Sequence, residues 1–168
     1  MSGAHFAEMK GIMQICRLYK NNLEKALELV WRVFEQCSKA DYEEMGVRTF
    51  EHFIRRESME ESMDSGEMVF FGAYESNRLV GVVAMRSGFH VSLLFVEKAY
   101  QRRGVAWRLL RRAVAYCVEQ NVKLRHITVN ASPNGVPAYL AMGFYPMSEE
   151  QKKDGMRFTP MRLDLEGR

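Results

Sequence analysis

The chain has 168 residues, 47% of them hydrophobic and 27% charged, and a formal net charge of +3. Those values fit a single globular domain with a full core and exclude a disordered chain. So small a net charge does not by itself argue for nucleic acid, and no apolar run reaches the roughly 18 residues that a membrane span needs. The first residues, MSGAHFAEMKGIMQ, lack the apolar stretch of a secretory leader, so the cytoplasm is the expected location. Cys16, Cys37 and Cys117 are spaced too widely for a metal or redox motif. They are expected as buried small hydrophobes in a reducing compartment.

In chain order, Ile12 to Tyr19 reads as a first strand. Asn21 is expected to cap a helix, with Glu24 three residues on completing a capping box. The apolar face of that helix is Leu23, Ala26, Leu27, Val30 and Phe34. Residues 36–42 break the pattern. A second helix runs from Glu44 into the Glu57 region, with Val47, Phe50, Phe53 and Ile54 on its apolar side. Ser65-Gly66 marks a turn. Glu67 to Tyr74 and Arg78 to Arg86 then form a hairpin around Glu75-Ser76-Asn77. After Ser87-Gly88, His90 to Val96 continues as the next strand of an antiparallel meander.

The helix beginning near Val105 has the clearest pattern, with Leu109, Leu110, Ala113, Val114, Cys117 and Val118 on one face. Arg108, Arg111 and Arg112 lie elsewhere on it and read as a solvated face. Lys123 to Asn130 is a fifth strand, so strand, helix and strand imply a parallel crossover. Pro133 and Pro137 bracket a short helix start, and Gly143 stands where a glycine stop belongs. Phe144-Tyr145-Pro146 and Met156 to Leu165 close the chain as paired strands. There is no repeat, linker or low-complexity tract.

The turn Gln101-Arg102-Arg103-Gly104-Val105-Ala106 joins a strand to that helix. Such a turn aims backbone N–H groups at one point, where the helix N-terminus adds its positive end. It is a device for holding phosphate, here the pyrophosphate of a small cofactor. The charge distribution agrees. Between Glu97 and Arg125 eight basic residues face two acidic ones, while Glu57, Glu60, Glu61, Asp64 and Glu67 crowd a different segment. The basic stretch lacks the interleaved aromatics of a single-strand nucleic-acid groove. The glycine patterns of a triphosphatase loop and of a dinucleotide fold are absent, as is a His-Glu-x-x-His metal pair.

Two signals coincide in order and spacing: Gln101-x-x-Gly104-x-Ala106 after one strand, and Tyr139-x-x-x-Gly143-Phe144 after the next. Together they resemble the GNAT superfamily of acyl-CoA-dependent N-acyltransferases, and the order of elements agrees over nearly the whole chain. The resemblance implies a mixed α/β fold in one domain spanning 1–168. Its central sheet of six to seven mostly antiparallel strands is flanked by about four helices, with strands 4 and 5 parallel and splayed. The sequence departs from the family at Ala106, where a second glycine is commoner. It departs again at Ser132, where an asparagine often stands; Asn130 and Asn134 flank it.

The activity implied is transfer of an acetyl group from acetyl-CoA, without a metal, to an amine of a small molecule, peptide or protein. Neither nucleic acid nor a membrane is an expected partner. A homodimer stays open, since oligomeric state leaves no mark in the sequence. The resemblance assigns the cofactor to Gln101, Arg102, Arg103, Gly104, Val105 and Ala106, to the end of strand 4 at Leu94, Phe95 and Val96, and to Asn130 and Ser132. Tyr139 is the candidate general acid for the leaving thiolate. His90 is the candidate base, alternating along its strand with Ser92, Leu94 and Val96. Glu35, Asp41 and Glu44, near the link between the first two helices, are alternatives; the family's acceptor wall commonly forms there and acidic residues would suit a cationic amine, but the link reads first as a solvated loop. His5, His52 and His126 have no partner signal. A module that binds acyl-CoA without turnover is the competing reading.

Overall fold

The computed structural model describes residues 12–165. His5 and most of the stretch read for a leader lie outside them. Four strands, β1 (Met13–Leu18), β2 (Met68–Glu75), β3 (Arg78–Arg86) and β4 (His90–Val96), form an antiparallel meander. β5 (His126–Ala131) lies parallel to β4, and β8 (Met156–Asp164) lies antiparallel to β5. The short strands β6 (Tyr145–Pro146) and β7 (Gln151–Lys153) both pair with β8. The eight-stranded sheet has the order β1-β2-β3-β4-β5-β8-β6, with β7 off that path. The mixed α/β fold, with β4 and β5 parallel, agrees with the expectation.

Five helices flank the sheet: α1 (Lys20–Cys37), α2 (Glu44–Phe53), α3 (Arg56–Asp64), α4 (Val105–Gln120) and α5 (Val136–Ala141). Apolar alternation along the strands serves two cores. On one face α4 sets Val105, Leu109, Leu110 and Ala113 against Phe71, Val83 and Val91. On the other, α1 sets Leu23, Val30 and Phe34 with Phe50, Phe70, Val82 and Leu93.

Several local expectations shift. α1 begins at Lys20, and the reach-back bond comes from Asn22, whose Oδ1 accepts the Tyr19 N–H at 2.9 Å. Neither Asn21 nor Glu24 makes the cap, because the chain leaves β1 already extended at Tyr19. The single helix expected after Glu44 is two. Its apolar spacing ends at Ile54, and the next buried residue, Met59, falls five positions on. A continuous helix would turn Met59 away from the core, so the chain extends at Arg55 and restarts. Of the cysteines only Cys117 is buried; Cys16 is exposed and Cys37 half-buried. The α4 arginines are exposed but not idle: Arg108 donates to the Met13 carbonyl at 3.0 Å, and Arg112 lies over Phe71.

α2 and the β7–β8 turn touch backbone to backbone. A Cβ on Gly46 would lie 2.2 Å from the Gly155 carbonyl oxygen, and one on Gly155 would lie 2.4 Å from the Gly46 nitrogen. The Thr49 hydroxyl donates to the Asp154 carbonyl at 2.9 Å, and Lys152 pairs with Glu43. This contact brings Met156 beside the aromatic end of α2. Among the described residues, no helix is long and apolar enough to cross a membrane.

Candidate active site

The sheet opens at β4. β4 and β5 pair only at His90↔Thr128 and Val91↔Val129. Beyond Val91 they part, which is the expected splay. A bulge accompanies the opening: Met85 of β3 pairs with Val91 and Ala84 with Leu93, so Ser92 has no cross-strand partner. The extra residue reverses the parity of the strand. Val91 shares the α4-side core with Leu94 and Val96, an arrangement that unbroken alternation forbids. His90, Ser92, Leu94 and Val96 therefore do not form one face; the α1 side receives Leu93 and Phe95.

The bulge also decides which backbone groups face the opening. The Glu97 N–H donates to the Val80 carbonyl at 2.8 Å. In an antiparallel ladder, inward and outward residues alternate, so Phe95 turns its polar groups to β3, and Leu94 and Val96 turn theirs to the gap. The Gln101 side chain donates to the Val96 carbonyl at 3.0 Å and caps that end of the gap.

One cleft of about 880 Å³ runs through this opening. Leu94, Phe95, Val96, Gln101, Arg102, Gly104, Val105, Ala106, Asn130, Ser132, His90 and Tyr139 all line it. Arg103 does not: its guanidinium reaches Glu75 at 3.7 Å and covers the Tyr100 ring. Arg102 and Gly104 both have positive φ, 61° and 79°. Nothing stands within 4 Å of where a Gly104 Cβ would be, so the backbone there is bare. The first bond into α4 runs from the Arg108 N–H to the Gly104 carbonyl. The N–H groups of Val105, Ala106 and Trp107 precede it and have no helical acceptor.

Tyr139 sits on α5, its ring edge-on to Phe144 at 5.2 Å. Burial pushes its phenol well above the ordinary value. The hydroxyl makes no hydrogen bond within the described residues, yet it is not sealed off in the way the Ser92 hydroxyl is. Ser132 is committed to the loop before α5: its hydroxyl accepts the Gly135 N–H at 3.2 Å and engages Tyr42 across the cleft. Asn130 and Asn134 have exposed side chains and also line the cleft.

At the other end, His90 Nδ1 and Thr128 Oγ1 are 2.8 Å apart. Burial, with the nearby positive charge of Arg86 adding to it, pulls the imidazole down to about 4. The wall above is aromatic. Phe34 stacks with Tyr42 at 5.6 Å and Phe50 at 4.2 Å, and Phe50 continues to Phe95 at 5.8 Å. Glu35, Asp41 and Glu44 do not line the cleft, so they make no acidic acceptor wall there and the reading of the link as solvated agrees with the structure. Glu35 turns to Lys39 and Glu44 to Arg48 on the solvent side of their helices. Sequence reasoning also missed Phe53, Arg86 and Met156 as cleft residues. A charge ending an otherwise apolar strand was the one available signal for Arg86. Among the described residues no group of three or more His, Cys, Asp or Glu comes together to hold a metal.

An acetyltransferase (GNAT) domain model matches residues 38–165. The chain belongs to the GNAT acetyltransferase family. Its fold is similar to a GCN5-related N-acetyltransferase from Rhodopseudomonas palustris, with TM-score 0.77, 17% identity, and coverage of 93% of this chain and 98% of that one. It is also similar to the PaiA N-acetyltransferase from Thermoplasma acidophilum, solved with coenzyme A, with TM-score 0.74, 17% identity, and coverage of 92% and 99%. At such identity the likeness concerns the fold. No curated protein matches the chain.

Proposed function

We propose that this GNAT protein transfers an acetyl group from acetyl-CoA to a primary amine, by direct attack within a ternary complex. One observation carries the reading. The bare helix start at Gly104, the unpaired edge of β4 and the free hydroxyl of Tyr139 open into a single cleft. The residues suit the cofactor. Free N–H groups at the start of α4, with Arg102 beside them, form an anion site that fits a pyrophosphate. The gap-facing amides of Leu94 and Val96 fit the amides of a pantetheine arm. That the similar PaiA N-acetyltransferase was solved with coenzyme A supports the choice of cofactor.

Bound acetyl-CoA supplies the acetyl group as an activated thioester. The Leu94 N–H donates to the carbonyl oxygen as negative charge builds there. Tyr139 donates a hydrogen bond to the departing sulfur. Its raised pKa keeps the phenol protonated, so it stabilises the thiolate without ionising itself. The thiol, with a pKa near 8.5, takes its proton finally from the attacking nitrogen. His90 is neutral at working pH, and its pKa of about 4 makes it a poor store for the proton of an alkyl ammonium near pKa 10. His90 also lies four residues along β4 from Leu94, so in this reading it takes no proton: the amine enters neutral, having lost its ammonium proton to water, and the proton that its nitrogen sheds on attack is the one the thiol takes. The intact Tyr139 in an open cleft favours turnover over a sensing module.

The test is calorimetric titration of the wild type and of Gly104→Glu with acetyl-CoA. The substitution sets an anion where the pyrophosphate belongs. Micromolar-range binding that the folded variant loses supports the site; no binding by the wild type sinks the reading.

A further inference from the structure

Arg86 ends β3 directly opposite His90, and it lines the cleft. Among the described residues its guanidinium makes no hydrogen bond and no ion pair. Alternation along β3 puts it on the side of Ala84, toward α1 and away from the α4 loop. The cleft carries one other formal charge, Arg102, which belongs to the pyrophosphate end. No aspartate or glutamate lines it. A cleft so built repels polycations, and its far half is a chamber of Phe34, Tyr42, Phe50, Phe53 and Phe95.

An unpaired, half-buried guanidinium in a cleft that is otherwise largely apolar is matched by a carboxylate, which it grips with two parallel bonds. The level of Arg86 and His90 lies four residues from Leu94, about 10–13 Å along a strand. An extended dipeptide spans about 7 Å, which leaves about 3 Å at each end for a hydrogen bond. We infer that the acceptor is a short apolar peptide or peptide-like amine, with its amino group at Leu94, its side chains among the rings and its carboxylate on Arg86. This rests on the acetyl-transfer reading above.

The experiment follows acetyl-CoA-dependent thiol release with the dipeptide Leu-Phe, its C-terminal amide, phenylethylamine and spermidine. The expected result is that Leu-Phe turns over best, with kcat/KM at least tenfold above its amide. In Arg86→Gln that acid-to-amide ratio falls toward one, through KM, and Arg86→Lys restores part of it. Equal use of acid and amide by the wild type overturns the inference. So does a preference for spermidine, turnover of none of the four, or a ratio untouched in Arg86→Gln. Calorimetry with acetyl-CoA on the same samples separates the two layers. A wild type that does not bind acetyl-CoA fails at the transfer reading. One that binds it and acetylates only the polyamine fails at the acceptor alone.

Discussion

Tyr139 is buried on folding, and its hydroxyl gains no partner inside the described residues. Removing that oxygen therefore leaves no orphaned group behind, and Tyr139→Phe should fold with unchanged thermal stability. It should lower kcat by about 10²–10³, the usual cost of losing one hydrogen-bond donor to developing negative charge, while acetyl-CoA still binds in calorimetry. A loss of acetyl-CoA binding instead would mark Tyr139 as part of the cofactor site. His90 gives a second measurement. A proton on His90 is disfavoured in the fold, with a pKa of about 4 against 6.5 when unfolded. Between those values the unfolded state binds more protons, so stability contributed by neutral His90 is present above pH 6.5 and lost as pH falls toward 4. Denaturant titrations at pH 7 and pH 4.5 should differ less in His90→Gln than in the wild type. An equal difference would mean that the imidazole titrates normally. Gly104 and Tyr139 were legible as cleft residues because a local motif places each of them. Arg103 was not: Glu75, 28 positions earlier, draws it outward. Nor were Phe34, Phe50 and Phe53 legible as a cleft wall. Helical spacing marks a side chain as facing inward and does not say whether core or cavity receives it.

At the scale of elements, the contact between α2 and the β7–β8 turn decides the shape of the chamber. It had no sequence signal. Gly46 and Gly155 are 109 positions apart, and each is a glycine because the other's backbone occupies the space of its side chain. Neither neighbour is a flexible side-chain tip that could move aside. Gly46→Ala should therefore destabilise the protein by about 1–3 kcal/mol, the usual cost of overpacking. Because Met156 follows Gly155 into the cleft wall, the same variant should raise the acceptor KM while acetyl-CoA affinity holds. Thermal melts and steady-state kinetics read the two effects separately; a stable variant with wild-type KM would mean that the turn is free to shift. The β4 bulge was equally silent. Seven residues from His90 to Val96 read as an even strand, and only the register with β3 shows that Ser92 is surplus. The strand, helix, strand crossover around α4 was legible because its apolar spacing is long and its turn is short.

Over the whole molecule the sheet separates two kinds of surface. The face carrying α4 holds the Gly104 turn, Arg102 and the exposed arginines of the helix. The face carrying α1, α2 and α3 holds the aromatic chamber and most of the acidic residues, many tied in exposed ion pairs such as Lys20–Asp64 and Arg56–Glu60. In the reading proposed above, an anionic cofactor and an apolar acceptor would approach from opposite sides and meet at the gap in β4. The two approaches should answer differently to salt. Screening shortens from about 10 Å at 0.1 M to 3 Å at 1 M, so the field of the α4 face weakens over that range. The association rate of acetyl-CoA, followed by stopped flow, should fall severalfold between those concentrations. That of acetyl-pantetheine, which carries no phosphate, should stay level. Arg102→Glu should flatten the salt dependence more than Arg103→Glu, because Arg103 is already engaged with Glu75 and Tyr100. Equal salt dependence for the two thioesters would remove the basic face from the path of the cofactor and leave only the local geometry of the Gly104 turn to hold it.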